Sequence, residues 1–251
     1  WAWRAGRTKT VKAAADKVLC ILPFEESIYE AIGVDATFVG HPKADSAPVE
    51  INVSEARQAL GLTADEVIAI LPGSRKSEIA MLGDILAQTA AIISRSRGSV
   101  QFVTPIATES LRPAIEAQIA AAGMSEQFVL TEGGSERAMI AADVVLLASG
   151  TAALESALLI KPTVAVYRLG RLTHAIVFGL NLMRLTHFTL PNLLTETPLV
   201  PEFMQDEAQP DAIATAVVEL LDNPERRRII SDRFARLRTE LAQNTDQRAA
   251  D

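Results

Sequence analysis

The stretch Asp143-Val-Val-Leu-Leu-Ala148, followed at once by Ser149-Gly150-Thr151-Ala152-Ala153-Leu154-Glu155, leaves few folds open to this chain. An unbroken β-branched and aliphatic run reads as a strand buried on both faces, and the Ala/Leu-rich segment after it reads as helix, so a tight turn must join the two. That junction belongs to a parallel sheet. It also makes an anion site, because the first turn of a helix has backbone N–H groups without partners and a partial positive charge, and a glycine lets a phosphate approach the main chain.

The same alternation extends over most of the chain. Strands are expected at Val67–Leu71, Val100–Thr104, Phe128–Thr131, 143–148 and Thr163–Tyr167, with helices near Ile79–Ser94, Ser110–Ala122, Ser135–Ala141 and 152–160 between them. Strand–helix alternation implies right-handed βαβ crossovers and a Rossmann-like, doubly wound parallel sheet, an α/β fold whose ligands bind beyond the carboxyl ends of the strands. Both Pro72-Gly73-Ser74-Arg75 and Ser149-Gly150-Thr151 fall there. Before this sheet, a basic helix, the strand Val18–Leu22, a short helix ending at Gly33 and the strand Ala36–Val39 read as closing units of another α/β sheet, and Gly40-His41-Pro42 stops the pattern. Pro224–Leu241 reads as a solvated helix with an apolar stripe.

Bulk numbers exclude several classes. At 251 residues, 49% hydrophobic and 22% charged, the chain has enough apolar mass for a sizeable core and is not intrinsically disordered. A net charge of −7 argues against a nucleic-acid partner, which needs excess cation. The single cysteine, Cys20, allows no internal disulfide and fits a reducing compartment. The chain opens on Trp1-Ala-Trp3-Arg4 without a secretory pattern and reads as an excised portion. No apolar run reaches the roughly 18 residues that span a bilayer. Residues 171–188, apolar and flanked by Arg171 and Arg184, fit either a helix in a membrane interface or one packed on protein.

Four positions stand out as candidates for chemistry. Arg75 follows a glycine turn at a strand's carboxyl end, where a planar guanidinium grips a diphosphate through paired hydrogen bonds; the alternative is a surface arginine. The turn lacks the Lys-Ser/Thr ending of a Walker sequence, so nucleotide hydrolysis is not indicated. Glu155 is out of register for a capping box; it either rides in the first helical turn, favoured by the helix dipole, or accepts the hydroxyls of a ribose. Asn192, in Leu190-Pro191-Asn192-Leu193-Leu194, either reads a base or sugar edge with its amide or closes an Asx-turn. His41, between glycine and proline, reads as structural. His41, His174 and His187 lie far apart and no two aspartates are separated by one residue, so no metal is expected. Charge on a leaving diphosphate then falls to Arg75 and helix N–H groups.

Taken together, Trp1-Ala-Trp3-Arg4, Leu22-Pro-Phe-Glu25, Gly40-His41-Pro42 with Asp45, Leu71-Pro-Gly-Ser-Arg75, the block from Leu147 to Glu155 and Leu190-Pro-Asn-Leu-Leu194 closely resemble the lipid-A-disaccharide synthases, in order and through essentially the whole chain. The resemblance implies a GT-B glycosyltransferase, in which two Rossmann-like domains face each other across a cleft. Such enzymes transfer 2,3-diacylglucosamine from UDP-2,3-diacylglucosamine to 2,3-diacylglucosamine 1-phosphate, releasing UDP with inversion. It implies residues 1–45 as the end of the N-terminal acceptor domain, 46–223 as the UDP-binding domain and 224–251 as a C-terminal helix. UDP would be bound by Gly73, Ser74, Arg75, Ser149, Gly150, Thr151, Glu155 and Asn192, with Arg75 stabilising the leaving group, no cofactor, and the catalytic base in a preceding domain that this chain lacks. The chain alone is then expected to be the inactive donor-binding half. The family's acylated substrates imply a peripheral place on the cytoplasmic face of the inner membrane of Gram-negative bacteria, and a homodimer stays open. Another GT-B-like UDP-sugar enzyme of epimerase type, or a non-catalytic UDP-binding fragment, are the alternatives.

Overall fold

A computed structural model describes residues 7–170 and 187–250. Grouped by contacts, these residues form two compact units, one from residues up to 48 and from 235 onward, the other from 49–169 and 187–234. The first unit opens with α1 (Arg7–Ala14), β1 (Lys17–Cys20), α2 (Glu25–Glu30), β2 (Asp35–Phe38) and α3 (Pro42–Asp45). Strands β1 and β2 pair in parallel, Lys17 opposite Asp35, and α2 packs on both. This matches the strand and helix pattern read from residues 10–39. Gly33, at φ +72°, ends the α2 segment in the left-handed conformation that glycine adopts without strain.

The second unit is a six-stranded parallel sheet with helices between its strands. In chain order it comprises α4 (Val53–Ala59), β3 (Glu66–Leu71), α5 (Lys76–Ser96), β4 (Val100–Ile106), α6 (Arg112–Ala121), β5 (Phe128–Glu132), α7 (Ser135–Ala141), β6 (Val144–Ala148) and α8 (Thr151–Leu158). There follow β7 (Thr163–Tyr167), α9 (Leu190–Leu194), β8 (Glu202–Met204) and α10 (Pro210–Asp222). The spatial order is β5-β4-β3-β6-β7-β8. Chain progression runs one way from β3 and the opposite way from β6, so the sheet has its switch point between these two strands. All five residues of β6 are buried, as an aliphatic run in a central parallel strand requires.

Helices α5, α6 and α10 pack together, as do α4, α7, α8 and α9, which divides them between the two sheet faces as right-handed crossovers dictate. Helix α5 shows the sequence logic: Ile79, Leu82, Leu86, Ala90 and Ile93 recur every three or four residues and are all buried. At the amino ends of the strands, Asp143 accepts from Arg57 Nη2 at 2.7 Å and from the Val67 amide at 2.8 Å. Beside it Lys161, 7% exposed, donates to the carbonyls of Ile140 and Ala142 at 2.7 and 2.9 Å. Burial pushes the Lys161 ammonium down to about 8, Asp143 acting the other way and Arg57 with the burial.

Residues 224–251, read from sequence as one closing helix, contain two, α11 (Pro224–Leu241) and α12 (Thr245–Ala250), and the division between units falls within α11. The last residues complete the first unit. The His41 amide donates to Leu241 O at 2.8 Å, and the Asp45 carboxylate accepts from the Asn244 and Thr245 amides at 3.0 and 2.7 Å. Burial pushes the Asp45 carboxyl up, but hydrogen bonds from Thr245 and Asn244 outweigh it and hold the group below the usual carboxylate range. Gly40 sits at φ +100°, and a Cβ there would meet Gln243 Cβ at 2.6 Å and Leu241 O at 3.1 Å. His41 accepts through Nδ1 from the Lys43 amide at 3.2 Å and caps α3. The Gly40-His41-Pro42 motif with Asp45 is therefore a clasp on residues 241–245, in keeping with the structural role expected of His41.

Candidate functional site

Two turns meet at the switch point of the second unit. Register places Leu71 of β3 beside Leu147 of β6, so Pro72-Gly73-Ser74-Arg75 and Ser149-Gly150-Thr151 leave the sheet side by side at the carboxyl ends of their strands. Between them and the ends of β4 and β5 lies a cavity of about 400 Å³. Gly73, Ser74, Arg75, Ser149, Gly150 and Thr151 all line it, as expected from sequence. Glu78, Pro105, Gly133, Gly134 and Ser135 line it as well and were not anticipated. Gly133-Gly134 carried a turn signal. Glu78, three residues after Arg75, stood where a helix cap reaches back to the chain.

On the α8 side the site is open. Gly150 is the N-cap, no side chain caps the helix, and the first turn carries no acidic residue. Ser149, just past the end of β6, still donates its amide across the sheet to Val166 O at 2.8 Å. The N–H groups of Thr151 and Ala152 therefore open the helix toward the cavity with no intrahelical acceptor. Gly150 is extended, at φ 172°, and nothing lies within 4 Å of where its Cβ would be. What glycine supplies here is space rather than a special backbone angle.

The α5 side is already furnished. Arg75 is the N-cap of α5, its side chain 78% exposed and its Nη1 2.9 Å from Glu78 Oε1. The other oxygen, Glu78 Oε2, accepts from the Ser74 amide at 2.8 Å and the Arg75 amide at 3.1 Å. Gly73 stands at φ +112°, and a Cβ on it would lie 2.7 Å from Glu78 Cβ. Close by, Tyr167 at the end of β7 lies against Phe188, the rings tilted by 34° with centroids 5.7 Å apart. Burial raises its phenol pKa, and the Glu78 carboxylate adds to the rise while Arg75 opposes it.

Two expected ligands are placed otherwise. Glu155 is the fifth residue of α8, beyond the first turn in which it was expected; it is half-buried and outside the cavity lining. Asn192 is 4% exposed, and its amide is committed within the fold. Its Oδ1 accepts from the amides of Leu199 and Val200 at 2.8 and 2.9 Å, and its Nδ2 donates to Val200 O at 2.8 Å. The side chain holds the 199–200 segment against α9. Residues 171–186, for which an interfacial helix was considered, lie outside the described residues. Among the described residues no helix is long and apolar enough to cross a membrane. A larger groove of about 710 Å³ between α5 and α10 is lined by three carboxylates, Asp211, Glu219 and Asp222, against one cation, Arg226, a balance that disfavours a diphosphate.

Comparison with known proteins gives a family. The family model for lipid-A-disaccharide synthetase matches residues 1–251. A lipid-A-disaccharide synthase of Xylella fastidiosa (strain M23) is 39% identical over 253 residues, covering 100% of this chain and 66% of the relative. One from Burkholderia mallei (strain SAVP1) is 43% identical over 252 residues, covering 100% of this chain and 64% of the relative. The chain thus spans just under two thirds of the length of these relatives. Among solved structures, Anabaena HepE in complex with UDP and glucose superposes with a TM-score of 0.59 at 15% identity, over 97% of this chain and 64% of HepE. WaaG, a glycosyltransferase involved in lipopolysaccharide biosynthesis, superposes with a TM-score of 0.58 at 14% identity, over 86% of this chain and 55% of WaaG. The fold is the one shared by GT-B glycosyltransferases.

Proposed function

Because the chain belongs to the lipid-A-disaccharide synthetase family, we propose that it binds the donor UDP-2,3-diacylglucosamine in a hexosyl transfer to 2,3-diacylglucosamine 1-phosphate. The acceptor hydroxyl attacks the anomeric carbon as its proton passes to a general base, the bond from that carbon to the β-phosphate oxygen breaks, and UDP departs from the opposite face, so configuration inverts. Negative charge grows on the departing diphosphate. The chain's contribution is to receive that charge.

The observation that carries this reading is the meeting of two turns on one cavity: the uncapped start of α8 and the exposed guanidinium of Arg75 face the same 400 Å³. Unpaired amides at a helix start favour phosphate, and a guanidinium offers a second set of charge-assisted donors. Both are fixed before the reaction begins, which is the condition for electrostatic stabilisation of a transition state. Calorimetric titration with UDP tests the site. A charge-assisted hydrogen bond is worth roughly 1.5–3 kcal/mol, so Arg75→Ala should raise the Kd for UDP about ten- to a hundredfold. Unchanged affinity would make Arg75 a surface residue and remove the leaving-group role.

The same reading places the protein peripherally on the cytoplasmic face of the inner membrane, where substrates bearing acyl chains reside. Cosedimentation with vesicles of anionic lipid, with and without the acylated donor, measures that association; absence from the pellet in both arms would count against it.

A further inference from the structure

We propose that Glu78 is the positioning residue for Arg75, and that it reserves the amides of the Pro72–Arg75 turn so that only the guanidinium of that turn reaches the substrate. The inference rests on the UDP reading and assigns the work within that site. By shape, the turn between β3 and α5 is a second anion site: a glycine with positive φ followed by two N–H groups at a helix start. Its anion is internal. One carboxylate oxygen takes both amides, at 2.8 and 3.1 Å, while the other holds Arg75 Nη1 at 2.9 Å.

Three features make this more than a surface ion pair. Gly73 leaves room for the Glu78 side chain, since a Cβ at 73 would lie 2.7 Å from Glu78 Cβ. Glu78 is half-buried, its side chain 24% exposed, whereas that of Arg75 is 78% exposed. The anchored partner therefore fixes the exposed one. Arg75 uses one of its five N–H donors on Glu78, leaving the others for the cavity. A diphosphate displacing Glu78 would replace one anion by another on the same donors, so Glu78 stays and the phosphates are held from the α8 side and by the guanidinium.

The test is calorimetric titration of the 251-residue chain with UDP for wild type, Arg75→Ala, Glu78→Gln and the double variant. Glutamine keeps an oxygen for the turn amides and loses the charge that holds Arg75. Glu78→Gln should weaken UDP three- to tenfold on the wild-type background and not at all on Arg75→Ala. A purely structural cap would lower the melting temperature and leave the Kd alone, and a carboxylate that vacates its place for phosphate would give tighter binding in Glu78→Gln. Either result overturns the assignment. A second measurement needs no variant: amide hydrogen exchange of the wild type should show Ser74 and Arg75 protected with and without UDP, and Thr151 and Ala152 protected only with it. Gain of protection at Ser74 and Arg75 on adding UDP would refute the proposal. If wild type fails to bind UDP, the functional reading falls with it; if Arg75→Ala weakens binding and Glu78→Gln does not, the role of Glu78 falls alone.

Discussion

A buried ammonium at the foot of the sheet makes the stability of this protein depend on alkaline pH. Lys161 is 7% exposed and reaches the carbonyls of Ile140 and Ala142, with its pKa pushed from 10.5 to about 8, chiefly by burial. Below about 8 the group is charged in both the folded and unfolded chain, and the folded state carries the full cost of burying the charge. Between about 8 and 10.5 the folded form loses its proton while the unfolded form keeps it, so stability rises with pH. A depression of some 2.5 pH units at 1.36 kcal/mol each amounts to about 3 kcal/mol. Lys161→Met removes this titration. It also strips two carbonyls of their donor, which costs a pH-independent increment of roughly 1–3 kcal/mol for each. The assay is urea unfolding of wild type and Lys161→Met from about pH 7.5 to 10.5, reading the difference between the two so that every other titrating lysine, tyrosine and Cys20 cancels. With a urea slope near 2 kcal/mol per molar, the wild-type midpoint should gain roughly 1–2 M on the variant across this range. A flat difference would refute the reasoning, showing that the two carbonyls and Asp143 compensate the burial in full.

Two further substitutions separate structural from ligand-binding residues. Gly40→Ala forces a Cβ toward Gln243 and Leu241 at φ +100° and should destabilise the protein by about 2 kcal/mol or more, while UDP affinity, read by calorimetry below the transition, stays as in wild type. Asn192→Ala leaves two amides and a carbonyl buried without partners and should cost about 2–4 kcal/mol in thermal or urea unfolding. A large loss of UDP affinity with unchanged stability would instead restore the ligand role first read for Asn192.

How much of this could be read from the chain depended on how far away the partner lay. The strands Val67–Leu71 and 143–148 and the helices after them were evident because each is a local apolar pattern closed by a local turn. The three-residue β8, half-buried throughout, has no pattern of its own and exists as a strand only because β7 offers an edge. Gly40-His41-Pro42 showed that something constrained the backbone, but the constraint comes from Leu241, Gln243 and Thr245, some 200 residues on. Asn192 was ambiguous for the same reason, since an amide on a loop looks alike whether it faces a sugar or the Leu199 and Val200 amides.

The two helix starts that flank the cavity differ at their third residue, and that position decides their chemistry. Both follow a buried parallel strand through a glycine turn, and both begin with N–H groups lacking intrahelical acceptors. In α5, counting from Lys76, the third residue is Glu78, whose carboxylate turns back and closes the site from within. In α8, counting from Thr151, the third residue is Ala153, buried and apolar, and no side chain caps the helix. The opening at α8 is thus left for an anion from outside, while the closed turn presents a guanidinium aimed by its own acid. With Gly150 as the N-cap, Glu155 is the fifth residue of α8, two positions beyond the place from which Glu78 closes α5.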